Sequence, residues 1–471
     1  MAPSFFDVSS APCHWLISTG DPSADSHVAH TLETLWHTWP HARRPFPWLS
    51  VVAGEHVQAV LARYAIPHTL VATHEHLGAI GLGKGLSSLY HHVKLAQTLV
   101  KYVLQYPPTL VLLVDYGGFH LRLAQRFKQV CPQVPIHYYI PPQLWASRAG
   151  RLKHIQACVD KLYSIFPFEP RMYQAEGVDC TYVGHPLCQA LEPYQALTFH
   201  RQPQASVMPR GIDSQQAQRT EFPESLRTLL KLKQTDTEHP PRALWAILPG
   251  SRSSEVKSFW PVLKAGILHH CQQTSPEQWP CIRVSLAQAT LQSHLSFEGL
   301  PPALDIQVVE GQHATRSLLA VANVGVIKSG TATLEAALLG CPSVIVYQGH
   351  WLVALFARYF IRVPFLGLPN LLMYWQHTPP SLTSTQPLRA LREASRQAPL
   401  FPEYLQEDFT PERWVKGVMT LLTQEEALHH QLHAFKALFY RQTTESSPLS
   451  LASVLQPFLE DACGVSSAPL G

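Results

Sequence analysis

Short runs of consecutive apolar residues recur along this chain, and stretches of helical periodicity separate them. In the first half they fall at His14 to Ser18, Trp48 to Ala53, Thr109 to Asp115, Ile136 to Ile140, Lys161 to Ile165 and Cys180 to Val183. Such an alternation predicts a parallel sheet with crossover helices. The rhythm resumes after Pro241 with Ala243 to Leu248, Ile282 to Leu286, Ile306 to Val309, Val324 to Ile327 and Ser343 to Tyr347. Between the halves, Tyr194 to Pro241 is rich in Gln, Arg, Thr and Pro and has little apolar periodicity outside Leu226 to Leu232. It reads as a linker with an insertion. From Pro411 the pattern turns helical, and Gly464 to Gly471 reads as a frayed tail. The 471 residues exceed one typical core. The predicted organisation is an α/β chain of two Rossmann-like domains, 1–192 and 242–410, joined by a linker at 193–241 and followed by helices at 411–463 and a tail at 464–471. Two such sheets facing each other create a cleft at the carboxyl ends of their strands, where ligands bind in open α/β folds.

Two strand ends in the second half carry anion-binding chemistry. Leu248-Pro249-Gly250-Ser251-Arg252 follows an apolar run and precedes a helical pattern containing Glu255. Helix N-termini bind phosphate, Ser251 and backbone N–H groups can donate to its oxygens, and Arg252 offers a planar charged fork. An ordinary strand-to-helix turn explains the same residues without a ligand. After Val324 to Ile327, Ser329-Gly330-Thr331-Ala332-Thr333-Leu334-Glu335 opens a second helix with small residues that let a ligand backbone approach. Glu335 would stand beside the bound group and could accept from ribose hydroxyls. A solvated helix carboxylate is the plainer reading of that residue.

With Pro369-Asn370-Leu371-Leu372 added, the ordered motifs resemble those of the lipid-A-disaccharide synthase family, nucleotide-sugar glycosyltransferases of the two-domain GT-B fold. The first half agrees. Thr19 to Asp25 (TGDPSAD) is similar to that family's AGExSGD loop, Asp115 to Phe119 (DYGGF) to its DxPDF segment, and Ile140 to Ala146 (IPPQLWA) to ISPQVWAW. Ile165 to Glu169 (IFPFE) and Val183 to Leu187 (VGHPL) complete the set, so the resemblance runs from about residue 13 to the late four-hundreds. It implies an inverting transfer of diacylglucosamine from UDP-2,3-diacylglucosamine to 2,3-diacylglucosamine 1-phosphate, giving a β-1′,6-linked disaccharide and UDP. Carried over position by position, Ser251 and Arg252 would face the diphosphate, Gly330 and Thr331 would offer donors, Glu335 would contact ribose and Asn370 the nucleotide.

Asp115 is the first choice of base, because it ends an apolar strand and so projects a carboxylate from the sheet edge. Capping the helix that begins near Phe119 is its plainer role. Asp21 and Ser23 come next, with Asp25 read as a helix cap, and His185 ranks below them because Pro186 suggests a structural turn. Trp145, Phe166 and Phe168 are read as packing residues. The chain has Asp21 where the family usually has Glu, Ala24 for Gly, Gly117-Gly118 for Pro-Asp, Pro141 for Ser and Ser147 for the second Trp. All lie on the acceptor side, which leaves a different acceptor open, as well as an epimerase-like or a non-catalytic sugar-nucleotide-binding protein.

Lys plus Arg number 36 against 33 Asp plus Glu, a near balance that implies no nucleic-acid surface. The 26 histidines form no metal-ligand spacing; His74 and His76 beside Glu75 read as a solvated loop. No DxD motif is visible, so no metal and no other cofactor is expected. Nine cysteines, an odd number without any CxxC, read as reduced thiols of a cytosolic protein. No secretory leader or membrane span is seen. Trp351 to Trp375 mixes Leu, Phe, Tyr and Val with Arg358, Arg362, Pro364, Gly367 and Pro369. That composition suits docking on the cytoplasmic surface of the inner membrane, with Arg358 and Arg362 meeting lipid phosphates. A core helix and loop around Asn370 would look the same, and a homodimer stays open.

Overall fold

Leu110–Val114 shows why these runs become strands: five residues, all Leu or Val, are all buried in the centre of a sheet. A sheet covered by helices on both faces needs such two-sided apolarity. The computed structural model describes residues 13–41, 45–73, 85–146, 149–195, 242–349, 363–376, 399–440 and 450–462. Residues 196–241 of the linker and insertion expected at 193–241, His74 to His76, Ser147, the tail, and Arg358 and Arg362 of the docking segment lie outside the described residues.

The first sheet comprises β1 (His14–Thr19), β2 (Trp48–Ala53), β3 (His68–Thr73), β4 (Leu110–Val114), β5 (Ile136–Tyr139), β6 (Lys161–Ser164) and β7 (Cys180–Tyr182). Their order is β3-β2-β1-β4-β5-β6-β7, and every pairing is parallel. The second comprises β8 (Leu244–Leu248), β9 (Cys281–Leu286), β10 (Ile306–Glu310), β11 (Val324–Lys328), β12 (Ser343–Tyr347) and β13 (Glu403–Leu405). Its order is β10-β9-β8-β11-β12-β13, again parallel throughout. Both are doubly wound sheets, and each reverses its winding once, at β1/β4 and at β8/β11. The α/β fold expected from the hydrophobic rhythm is therefore present twice. Two strands escaped that rhythm, β3 and β13. Both are edge strands with partly exposed residues, so neither needs a continuous apolar run.

The first unit ends at Pro186 and takes back the C-terminal helix, while the second begins at Leu187 and ends at Phe439. In the first unit the helices that matter are α1 (Pro22–Thr38), α2 (Glu55–Arg63), α3 (Gly85–Gln105), α4 (Gly117–Val130) and α5 (Leu152–Cys158). One face of its sheet buries Trp15, Val51 and Leu112 against Val28, Leu32 and Leu61. Leu451, Ala452 and Leu455 of the helix Leu451–Ala462 join that same core. The helix Pro411–Thr423 belongs to the second unit, where Trp414 meets Trp245 of β8 edge to face at 6.1 Å. Tyr194, counted with the linker in the sequence, is buried in the second unit and its hydroxyl lies 2.5 Å from Nδ1 of His313. The eight cysteines among the described residues are all free thiols.

Candidate functional site

Where a doubly wound sheet reverses, the loops leaving two neighbouring strands run to opposite faces and open a crevice at their carboxyl ends. In the first unit these are the loops after β1 and β4, so the fold brings Asp21 and Asp115 together. Asp115 and Tyr116 both hold left-handed backbone, with φ of 53° and 52°. Each such residue costs on the order of 1–3 kcal/mol and persists only if its surroundings fix it. The Asp115 N–H donates to Tyr139 O at 2.9 Å. Its carbonyl accepts from Tyr138 Oη and from Nδ1 of His120, the latter at 2.8 Å. Gly20 is required opposite, since a Cβ there would stand 2.2 Å from Cβ of Tyr116.

His120 is fully buried, and burial pushes its pKa down to about 4. A carbonyl can only accept, so the neutral ring carries its hydrogen on Nδ1, and Nε2 accepts from Ser18 Oγ at 2.9 Å. One imidazole thereby ties β1 to the residue after β4. The Asp115 carboxylate accepts from the Tyr116 N–H at 2.6 Å. Burial raises its pKa above the ordinary carboxylate value, the Tyr116 N–H works against that, and the Asp21 charge raises it further. The helix after Asp115 starts at Gly117 without a side-chain cap, so helix capping is not what Asp115 does here.

Asp21 is itself the N-cap of α1, accepting from the Ala24 N–H at 2.8 Å. Asp25 lies inside α1, fully buried, and caps the next helix instead: its carboxylate accepts from Gly54, His56 and Val57 N–H groups at 2.7, 2.9 and 3.3 Å. Ser23 is exposed, with His27 Nε2 3.4 Å from its hydroxyl. His185 packs against Phe166 with ring centroids 5.5 Å apart, and burial first, then the neighbouring His27, holds its pKa at about 3. Trp145, Phe166 and Phe168 are buried together. The indole of Trp145 donates to Glu169 at 3.0 Å, and burial lifts that carboxyl to about 8, so it stands neutral at pH 7.

The second unit repeats the arrangement around β8 and β11. Gly250 takes φ 129°, and a Cβ there would meet Cβ of Glu255 at 2.6 Å. Glu255 folds back to accept from the Ser251 N–H at 2.9 Å. Its carboxylate also faces Lys328 at 3.0 Å and Arg252 at 3.6 Å. Lys328 closes β11, so one carboxylate links both phosphate-type loops and draws two cations to them. The Arg252 side chain is 79% exposed, which leaves its guanidinium accessible. Ser251, Gly330 and Thr331 are exposed as well. Gly330 precedes the helix Thr331–Leu338, and its carbonyl accepts from Thr333 Oγ1 at 2.8 Å.

Glu335 and Asn370 are turned inward. Glu335 is buried, and its Oε1 accepts from Arg316 Nη2 at 3.0 Å and Nε at 3.2 Å. Asn370 is 1% exposed. Its Nδ2 donates to Phe401 O and Glu403 Oε1, both at 2.8 Å, and its Oδ1 accepts from the Phe401 N–H at 2.8 Å. Glu403 also accepts from Leu366 and Gly367 N–H groups at 3.0 and 2.9 Å, and Ser329 Oγ donates to Leu366 O at 3.2 Å. Asn370 thus anchors the 366–370 segment beside the β11 loop rather than presenting its amide outward. His120, Lys328, Arg316 and Glu403 were missed in the sequence. Only Lys328, next to Ser329-Gly330, lay close enough to a motif to be found there. Among the described residues no three His, Cys, Asp or Glu side chains cluster as a metal site would require.

The lipid-A-disaccharide synthetase family model matches residues 15–208 and 222–395. A lipid-A-disaccharide synthase of Anaeromyxobacter dehalogenans is 29% identical over 440 residues, covering 93% of this chain and 95% of that protein. One from Prochlorococcus marinus is 31% identical over 437 residues, covering 91% and 94%. Among solved structures, UDP-GlcNAc 2-epimerase from Neisseria meningitidis bound to UDP-GlcNAc has a TM-score of 0.45 and 11% identity, covering 95% of this chain and 98% of that one.

Proposed function

Because the chain belongs to the lipid-A-disaccharide synthetase family, we propose that it transfers diacylglucosamine from UDP-2,3-diacylglucosamine to 2,3-diacylglucosamine 1-phosphate with inversion, releasing UDP. Asp115 takes the proton of the acceptor hydroxyl as its oxygen bonds to the anomeric carbon and the bond to UDP breaks. A carboxylate whose pKa burial raises is a stronger base than an ordinary one. The charge that grows on UDP meets Arg252, Ser251 and the backbone donors at Gly330 and Thr331, fixed dipoles that need no reorganisation during the step. Lys328, held by Glu255 at the same loops, adds a second cation. Glu335 has Oε1 taken by Arg316 and serves the ribose through its other oxygen, and Asn370 shapes the nucleotide pocket through the 366–370 segment. Asp21 acts on Asp115 through its charge. Ser23 is left as an exposed neighbour of the acceptor.

The observation that carries this reading is that the first unit has acidic residues at its switch point and the second a cationic, donor-rich one. Turnover of both lipid substrates by the purified protein, followed by thin-layer separation of the disaccharide, tests it. Asp115→Asn should fold and bind UDP yet lose activity. Arg252→Ala should lose about 3 kcal/mol of transition-state stabilisation, roughly a hundredfold in kcat. An active Asp115→Asn enzyme moves the base elsewhere, with Asp21 next in line. Epimerisation of UDP-sugar without transfer, or UDP binding without any turnover, would overturn the transferase reading.

Acylated substrates reside in a bilayer, so the enzyme works at a membrane surface, on the cytoplasmic face where UDP-sugars are made. No described helix is long and apolar enough to cross a membrane. Replacing Arg358 and Arg362 with Glu should release the protein from anionic vesicles in a flotation assay without unfolding it. Wild-type protein that never floats with vesicles refutes the docking role and leaves the transfer chemistry standing.

A further inference from the structure

Both oxygens of Glu255 engage groups that the transfer reading assigns to the departing diphosphate. Oε2 accepts from the Ser251 N–H at 2.9 Å, while Oε1 lies 3.0 Å from Nζ of Lys328 and 3.6 Å from Nη1 of Arg252. One anion thereby collects a backbone donor and a guanidinium from the loop after β8 together with the ammonium that closes β11. The backbone is shaped for this approach: a Cβ on Gly250 would stand 2.6 Å from Oε2 and from Cβ of Glu255, so a side chain there would push the carboxylate off the Ser251 N–H. Glu255 is the third residue of the helix Ser253–Gln273, whose N-cap is Arg252. A capping-box carboxylate at that position accepts from the N-cap N–H. Glu255 reaches one residue further, to Ser251, and so holds the loop rather than the helix end.

The Ser251 N–H carries one hydrogen and serves one acceptor well. A phosphate oxygen that takes it must dislodge Oε2, and a second phosphate oxygen beside Lys328 and Arg252 would face the carboxylate at a distance where like charges repel strongly. Rotation about its side-chain bonds carries the carboxylate into solvent, still beside a helix N-terminus, where negative charge is favoured. Leaving therefore costs Glu255 its contacts but strands no buried charge.

We propose that Glu255 and the diphosphate of a nucleoside diphosphate compete for one set of donors: the carboxylate swings out as the diphosphate enters and returns to help expel UDP after transfer. The inference rests on the reading of the second unit as the UDP site. An internal competitor lowers the apparent affinity by the fraction of time it occupies the donors, which weakens the hold on product. A carboxylate that only braced the loop would act with the opposite sign, since its loss would loosen the donors and weaken the ligand.

Calorimetric titration of the full chain with UDP and with uridine separates these cases. Glu255→Gln keeps the shape of the side chain and an acceptor for the Ser251 N–H, so it should fold, and its Kd for UDP should drop roughly tenfold while uridine binding stays unchanged. Glu255→Asp keeps the charge but is one methylene too short to reach that N–H, and it should also bind UDP more tightly than wild type. Product inhibition by UDP should strengthen in parallel. UDP bound equally or more weakly by Glu255→Gln overturns the competition and leaves the UDP site standing. Tighter binding in Glu255→Gln with none gained in Glu255→Asp overturns it too, in favour of a general charge effect. Tightening in both variants of a protein that transfers no sugar supports the competition while overturning the transferase reading. No binding of UDP by wild type or either variant refutes both.

Discussion

Asp21 and Asp115 are two carboxylates with separable jobs. Asp115 needs to be ionised to accept a proton, and the Asp21 charge is one of the two influences that raise its pKa. Asp21→Asn removes that charge, yet Asn caps helices as well as Asp does, so α1 keeps its start. The Asp115 pKa should then fall, and with it the pH at which the base becomes ionised. Measured kcat/KM against pH should show its acidic limb displaced to lower pH in Asp21→Asn, with the plateau retained. A collapsed plateau at every pH would make Asp21 the base, and an unmoved limb would show that the two groups do not interact. Asp115 was visible in the sequence because a carboxylate after an apolar strand has few other reasons to be there. The groups that hold it were not visible: His120 lies five residues on and reaches back through Nδ1 to a carbonyl, a contact that exists only after α4 has turned. The same limit applies to Asn370, whose amide partners Phe401 and Glu403 stand thirty or more residues away.

At the scale of elements, central strands were legible and edges were not. β2 and β12 have the bounds expected from the apolar runs, because a strand covered on both faces must be apolar throughout. β3 has only exposed and half-buried positions, and β13 spans three residues, so neither leaves a run to read. Caps were ambiguous for a related reason. Asp21 and Asp25 both precede or open a helical pattern, and sequence alone gives either of them to α1. The structure separates them by burial: Asp21 stays at the surface of the loop, while Asp25 is buried where the N-terminus of α2 arrives with three unpaired N–H groups. One carboxylate thereby fixes α2 against α1, and through α1 fixes the loop that presents Asp21. The phosphate-type loops were readable from Gly, Ser and Thr at strand ends. That Glu255 would bridge them by facing Lys328 depends on β8 and β11 being neighbours, which strand order decides and local sequence does not.

The largest gap between sequence and structure is at the scale of the whole chain. A helical pattern from Pro411 onward shows which residues are apolar but not which sheet they cover, because an amphipathic helix carries no label for its partner. Pro411–Thr423 covers the second sheet through Trp414, whereas Leu451–Ala462 returns to the first core with Leu451, Ala452 and Leu455. The first unit is consequently incomplete until the end of the chain has been made, although its sheet is finished by Tyr182. Leu455 is fully buried, and Leu455→Ala should cost about 3 kcal/mol. Because the lost packing lies wholly in the first core, backbone hydrogen exchange should accelerate in β1, β4 and α1 and stay unchanged in β8 and β11. UDP, if it binds the second unit alone, should protect β8 and β11 in the variant as it does in the wild type and leave the loss in the first unit uncorrected. Accelerated exchange in the second sheet would mean that the C-terminal helix supports both units, and the division of the chain at Pro186 would then fail to describe how it unfolds.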